Sequence, residues 1–376
     1  MRRLLAVLAV ASLAMPAMAQ TSGTLTQVWR INGGTESWFP ATVSSPARTV
    51  RSADYFQTSD VVVISSRSTP NPGLVVRNAV DGSTVTDIFG GVYNYNANYN
   101  LGGAFASNML GVSDDNIIYV GNLVLNAGTT NFVIYRHTAP ELPPTVAFNA
   151  TIPALAGVRV GDTLAVAGSG VNTEIWCGTN ANAGPHLVKF TTTDGLNYTV
   201  AATLTATAGS FTPFGGAPAR LGLSIEGIGA SAILWGDTSG PNDIPRRFDA
   251  TTAAVTDEVS STLNAWLGSA CTVGVVQLDG RTYLASGPGN YSITAAPAEA
   301  SKGNVFDVTT LGSPVAYGQT VSLGIQDSSL NWYPNGDGTG GVFFDVARRR
   351  VGFMVTNNSI SMHSFFNADV ADWNLH

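Results

Sequence analysis

Beyond residue 20 the chain alternates apolar and polar positions, or carries apolar runs of four to six residues rich in Val, Ile, Thr and aromatics. Gly, Asn, Asp and Pro cut these runs. That is the pattern of short β-strands, and helical periodicity is almost absent. One unit recurs: an apolar strand ends near an aromatic, passes a polar turn and re-enters as a Val-containing strand. It begins at Leu74, Phe132, Leu187, Pro245, Gly303 and Ser359. The aligned positions are Arg77, Tyr135, Phe190, Phe248, Phe306 and His363, separated by 58, 55, 58, 58 and 57 residues.

A second strand precedes each unit, starting at Val61, Ile117, Glu174, Ser231, Thr282 and Val351. An earlier one precedes those, in RSADYF, NMLGVS, DTLAVAG, ARLGLSI, CTVGVV and GGVFFDV. With the strand after the turn, each repeat has four strands, which is the make-up of a propeller blade. The sixth repeat runs out near Phe366 without its fourth strand. The missing strand is found at the other end, as TLTQVWRI from Thr24, similar to the expected outer strands Ser83–Phe89 and Thr199–Thr205. Pairing it with the last repeat closes a ring and removes an exposed edge.

The expectation is therefore an all-β, six-bladed β-propeller whose N-terminal strand closes the last blade, with seven blades as the alternative. Blades are expected at 40–92, 93–152, 153–207, 208–262, 263–322 and 323–366 plus 23–32. The turns NAVDGSTV and TTTDGLNYTV resemble the Asp-Gly turn before the outer strand in β-propeller repeat proteins of the broad NHL and YVTN type. The resemblance implies architecture. It implies no activity, because propellers host many functions.

Composition then narrows the setting. Residues 1–19 read as a secretory signal peptide: basic Arg2 and Arg3, a short apolar stretch, and Ala17-Met18-Ala19 before the cut. The expected mature chain, 20–376, is one propeller domain with a short tail at 367–376, exported to the periplasm, cell surface or medium. It keeps 16 basic against 25 acidic residues, which disfavours nucleic acid and anionic membrane surfaces. No transmembrane segment is read, and a monomer is expected. Charged residues are only 11% of the chain. Cys177 and Cys271 fall in non-adjacent repeats and are read as two buried thiols.

Propeller geometry sorts the loops by face. With strands A to D running outward, D–A and B–C connections share one face, and A–B and C–D turns the other. The D–A loops carry aromatics outside strand periodicity: Trp38, Tyr93, Tyr95, Tyr99, Trp266, Trp332 and Tyr333, with Phe39, Phe211 and Phe214. Flat rings beside Asn and Gly suit stacking on a sugar or peptide, or packing between blades. Arg51, Arg159 and Arg220 stand at the start of inner strands, where guanidiniums suit an anion or a local carboxylate such as Asp54 or Asp162. Glu226 is a weak candidate for a catalytic acid. Asp54, Asp162 and Glu226 are read as lying at different depths of the channel.

No metal-binding spacing and no nucleophile elbow occur, and no cofactor is expected. The leading expectation is a non-catalytic propeller binding a glycan, peptide or protein partner on the D–A and B–C face. The alternatives are a channel-centred, metal-dependent, lactonase-like hydrolase and a structural cell-surface component.

Overall fold

The computed structural model describes residues 23–39, 50–67, 73–86, 92–94, 102–237, 244–260, 263, 270–288, 301–324 and 339–364. Within them the strands form six antiparallel sheets, each of strands A to D in spatial order. Blade 1 is Val50–Phe56, Val61–Ser66, Gly73–Asn78 and Val92–Asn94. Blade 2 is Phe105–Val112, Ile118–Leu123, Phe132–His137 and Thr145–Ala150. Blade 3 is Ala165–Ala167, Glu174–Gly178, Leu187–Thr192 and Tyr198–Leu204. Blade 4 is Gly222–Glu226, Ile233–Asp237, Arg246–Phe248 and Val255–Glu258. Blade 5 is Ala270–Leu278, Arg281–Pro288, Lys302–Asp307 and Val315–Ser322. Blade 6 is Gly340–Asp345, Arg350–Val355, Ser359–Ser364 and the N-terminal strand Thr26–Asn32. The chain is thus a six-bladed β-propeller.

The 57-residue beat has a packing cause. Six apolar clusters fill the six junctions between neighbouring blades. The repeat position supplies a buried plug to these junctions. Tyr135 lies between blades 1 and 2, Phe190 between 2 and 3, Phe248 between 3 and 4, and Phe306 between 4 and 5. His363 takes the place in blade 6, edge-to-face on Phe353, and Arg77 takes it in blade 1, its guanidinium over Trp38. A strand side chain meets the next blade only if its register is kept. The spacing therefore persists where the residue type does not.

Ring closure goes further than the strand pattern implies. Gly23–Thr24 adds a parallel fifth strand to blade 5, opposite Gly318 and Gln319, before the chain crosses to blade 6. Arg30 donates to the carbonyls of Ser322 and Leu323 in blade 5, and Trp29 Nε1 to the Ala79 carbonyl in blade 1. One short segment ties three blades. Gly82, at φ +74°, lets the blade 1 turn pass beneath Trp29, where a Cβ would stand 2.9 Å from the ring.

One expected element is corrected. The outer strand of blade 1 is Val92–Asn94, opposite Val75 to Gly73, in place of the expected Ser83–Phe89. Of that expected strand residues 83–86 are described, and among them only Thr84 bridges back to Arg77, after the tight turn bonded by Asn78 and Ser83. Tyr93 therefore belongs to the outermost strand rather than to a D–A loop. Cys177 and Cys271 are buried thiols in blades 3 and 5, not joined by a disulfide.

Candidate functional site

The inner strands of all six blades line a central cavity of about 280 Å3. Each inner strand has an unpaired edge, and neighbouring blades cap part of it with side chains. Ser52 Oγ accepts from Leu110 N (2.7 Å), Asp54 Oδ2 from Val112 N (2.8 Å), and Ser224 Oγ from Val275 N (2.9 Å). The strand pairing matches Asp54 with Ser224, opposite Val63 and Trp235, so Glu226 lies two residues further toward the A–B turn. Asp162 lies apart from both, three residues before its strand.

At the A–B mouth stand Asp54, Asp114 and Glu226. Asp114 accepts from Gly168 N (3.0 Å). Burial raises Asp54 to about 7, against the lowering effect of the Val112 and Tyr55 N–H groups. Glu226 also reaches about 7, through burial and then the Asp114 charge. Its carboxylate makes no hydrogen bond or ion pair among the described residues. Nearby, Arg348 neutralises Asp345 and Asp60 across the junction of blades 6 and 1. Among the described residues no group of three or more His, Cys, Asp or Glu is placed to hold a metal ion.

The opposite mouth, on the D–A and B–C face, is built differently. Gly161, at φ +104°, lets the chain run against Asn122 O, where a Cβ would sit at 2.1 Å. This turn delivers Asp162, 2% exposed, between two arginines. Arg159 Nη2 lies 2.5 Å from its Oδ1, and Arg220 Nε 3.4 Å from its Oδ2. The Arg159 and Arg220 side chains are 23% and 37% exposed, so both reach solvent.

The backbone holding Arg159 is fixed on both sides. Val160 bridges to Val124 and to Thr179, and Arg159 N donates to Asn180 Oδ1 at 2.8 Å. Arg67 extends the row: its Nη1 donates to Asn108 Oδ1 (3.1 Å), and Asn108 Nδ2 to Gly161 O (2.6 Å). The Arg67 guanidinium also lies 3.7 Å from the Phe105 ring centroid.

The sequence candidates fare unevenly. Arg159 and Arg220 come together; Arg51 does not join them. It is 1% exposed at the start of its strand, inside the packing, so its place at an open mouth is corrected. Trp38 is 8% exposed and stacked on Phe39 at 5.4 Å, so its ring is a plug between blades 6 and 1 and offers no free face. Phe214 is likewise engaged, edge-to-face with His186 and beneath the Arg246 guanidinium. Tyr95, Tyr99, Trp266, Trp332 and Tyr333 lie outside the described residues, as do 1–22 and 365–376. Sequence reading missed Arg67, whose pairing with Asn108 joins different blades and has no local motif.

No protein-family model matches the chain, and no curated protein matches its sequence. Solved structures align with it. A DUF4623 family protein from Bacteroides eggerthii aligns with a TM-score of 0.61 at 15% identity, over 92% of this chain and 77% of its own. The WD40 repeats of RRP9 align at 0.49 and 6% identity, over 91% and 98% of the two chains. The Malassezia sympodialis allergen Mala s 1 aligns at 0.48 and 10%, over 89% and 96%. The likeness at 15% identity is one of fold. The chain is a β-propeller, a ring suited to binding or scaffolding. No helix among the described residues is long and apolar enough to cross a membrane.

Proposed function

We propose that this protein is an exported, non-catalytic propeller that binds a glycan, peptide or protein partner on the face of its D–A and B–C loops. The observation that carries this reading is the pair Arg159 and Arg220, held by braced backbone and still open to solvent. Loops on a rigid scaffold are where binding groups concentrate, because the scaffold removes much of the ordering cost. In a chain of net charge −7, a locally cationic rim also gives one face a distinct electrostatic character. Export rests on the signal-like residues 1–19, and the protein acts as a monomer.

A glycan array probed with residues 20–376 tests the glycan form. Wild type is expected to bind, and Tyr95→Ala combined with Trp332→Ala to weaken binding at least tenfold. Equal binding by the double variant, or none by wild type, overturns that form.

A further inference from the structure

We infer that Arg159, Asp162 and Arg220 form a receptor for the carboxylate of an acidic saccharide. This rests on the binding face proposed above and names its ligand chemistry.

The two guanidiniums share one buried carboxylate, so the trio carries a net charge of +1. Arg220 meets Asp162 through Nε, and its Nη1 and Nη2 have no partner among the described residues. Those two nitrogens form the fork that matches a carboxylate in two parallel hydrogen bonds. Arg159 meets Asp162 through Nη2 and leaves Nη1 unengaged among the described residues. Asp162 cannot turn away to solvent, because it is buried at 2% exposure. It therefore fixes both forks before a ligand arrives, and little side-chain freedom remains to be lost on binding.

The neighbourhood favours a sugar over a peptide side chain. Asn180 is bonded to the Arg159 backbone in both directions, by Arg159 N to its Oδ1 and by its own N to Arg159 O. That leaves its Nδ2 group without a bond among the described residues. Thr179 and Asn108, buried and already hydrogen-bonded, hold the rim in place and leave Asn180 to meet the ligand. Amide groups suit ring hydroxyls. The central cavity begins at Thr163 and Leu221, directly after Asp162 and Arg220, so the forks stand at its rim.

The experiment is calorimetric titration of residues 20–376 with a trigalacturonate, with the neutral trigalactose and with an acidic tripeptide as controls. Expected are binding of the uronate at least tenfold tighter than of the neutral sugar, and weakening with added salt. Arg220→Gln is expected to lose at least tenfold for the uronate with an unchanged melting temperature. Arg159→Gln is expected to act in the same direction. Equal affinity for uronate and neutral sugar, no uronate binding, or unaltered binding by both variants overturns the inference. Tighter binding of the acidic tripeptide also overturns it while leaving the wider reading of this face intact. Loss of all ligands on the array and in the calorimeter would overturn both.

Discussion

The two ends of the central cavity are formed by the same inner strands and handle charge in opposite ways. At the D–A and B–C end, two arginines share one buried carboxylate, and the excess charge faces solvent. At the A–B end stand Asp54 and, two positions further along the corresponding strand of blade 4, Glu226, and of these two carboxylates only Asp54 is bonded to its neighbour's backbone. The difference lies in what surrounds each charge. Asp162 has cations on both sides, whereas Glu226 faces the like charge of Asp114 and has no cation partner among the described residues. The first end pairs its buried charge and leaves two guanidinium ends open to solvent. The second stores unfavourable electrostatic energy.

Breaking the organised end should have the largest effect. Asp162→Ala would leave two cations side by side above a closed turn. Removing one partner of a buried pair costs several kcal/mol, and the partial exposure of both arginines places this case at the lower end, about 3 kcal/mol. Urea unfolding measures it. A loss below about 1 kcal/mol would mean that the arginines do not depend on Asp162. In that case the contrast between the two ends would be one of composition only.

The acid end should respond in the opposite direction. A carboxyl whose folded pKa is raised favours the folded state while protonated, and that advantage disappears as pH rises through the folded value. For Glu226 the advantage is present below about 4.5 and is lost by about 7. Glu226→Gln should match wild type at pH 4 and exceed its stability at pH 8 by about 1 to 2 kcal/mol, after allowance for partial exposure. His137 and His363 act the other way: burial lowers both to about 4, so their contribution is lost as pH falls from 6.5 toward 4. The comparison of variant with wild type at each pH cancels them. A less stable variant at pH 8 would show that a cation neutralises Glu226 in solution.

Most of the fold was legible because its rule is periodic. Junction packing demands one plug per blade, and the spacing from Arg77 to His363 records that demand even through non-aromatic members. The strand at Thr26 was legible because the last repeat lacked a partner for its third strand. What was hidden depends on direction and on partners from other blades. Arg51 and Arg220 occupy similar places at strand starts, yet one is enclosed and the other open. Sequence position alone does not say toward which blade a side chain turns. Trp38 looked like a loop aromatic, and its burial is set by Phe39 and Arg77. That Asp54 matches Ser224, with Glu226 two residues beyond, became visible only through the strand pairing and the bonds of Asp54 and Ser224 to the next blade.

The smallest effect concerns Arg67, which links the organised end to blade 1. Its guanidinium stacks on Phe105, itself 39% exposed, and bonds Asn108, which is fully buried. A cation over a solvent-exposed ring contributes about 0.5 to 1 kcal/mol and the lost bond to Asn108 adds to it, so Arg67→Met should destabilise by about 1 to 1.5 kcal/mol. Methionine keeps an apolar cover over the ring and leaves the Asn108 bond to Gly161 O in place. The turn that delivers Asp162 should therefore persist, and uronate binding should fall less than threefold. Urea unfolding and the same calorimetry read both quantities. A loss of binding as large as that of Arg220→Gln would place Arg67 on the ligand itself. The organised end would then extend across three blades rather than resting on the trio around Asp162.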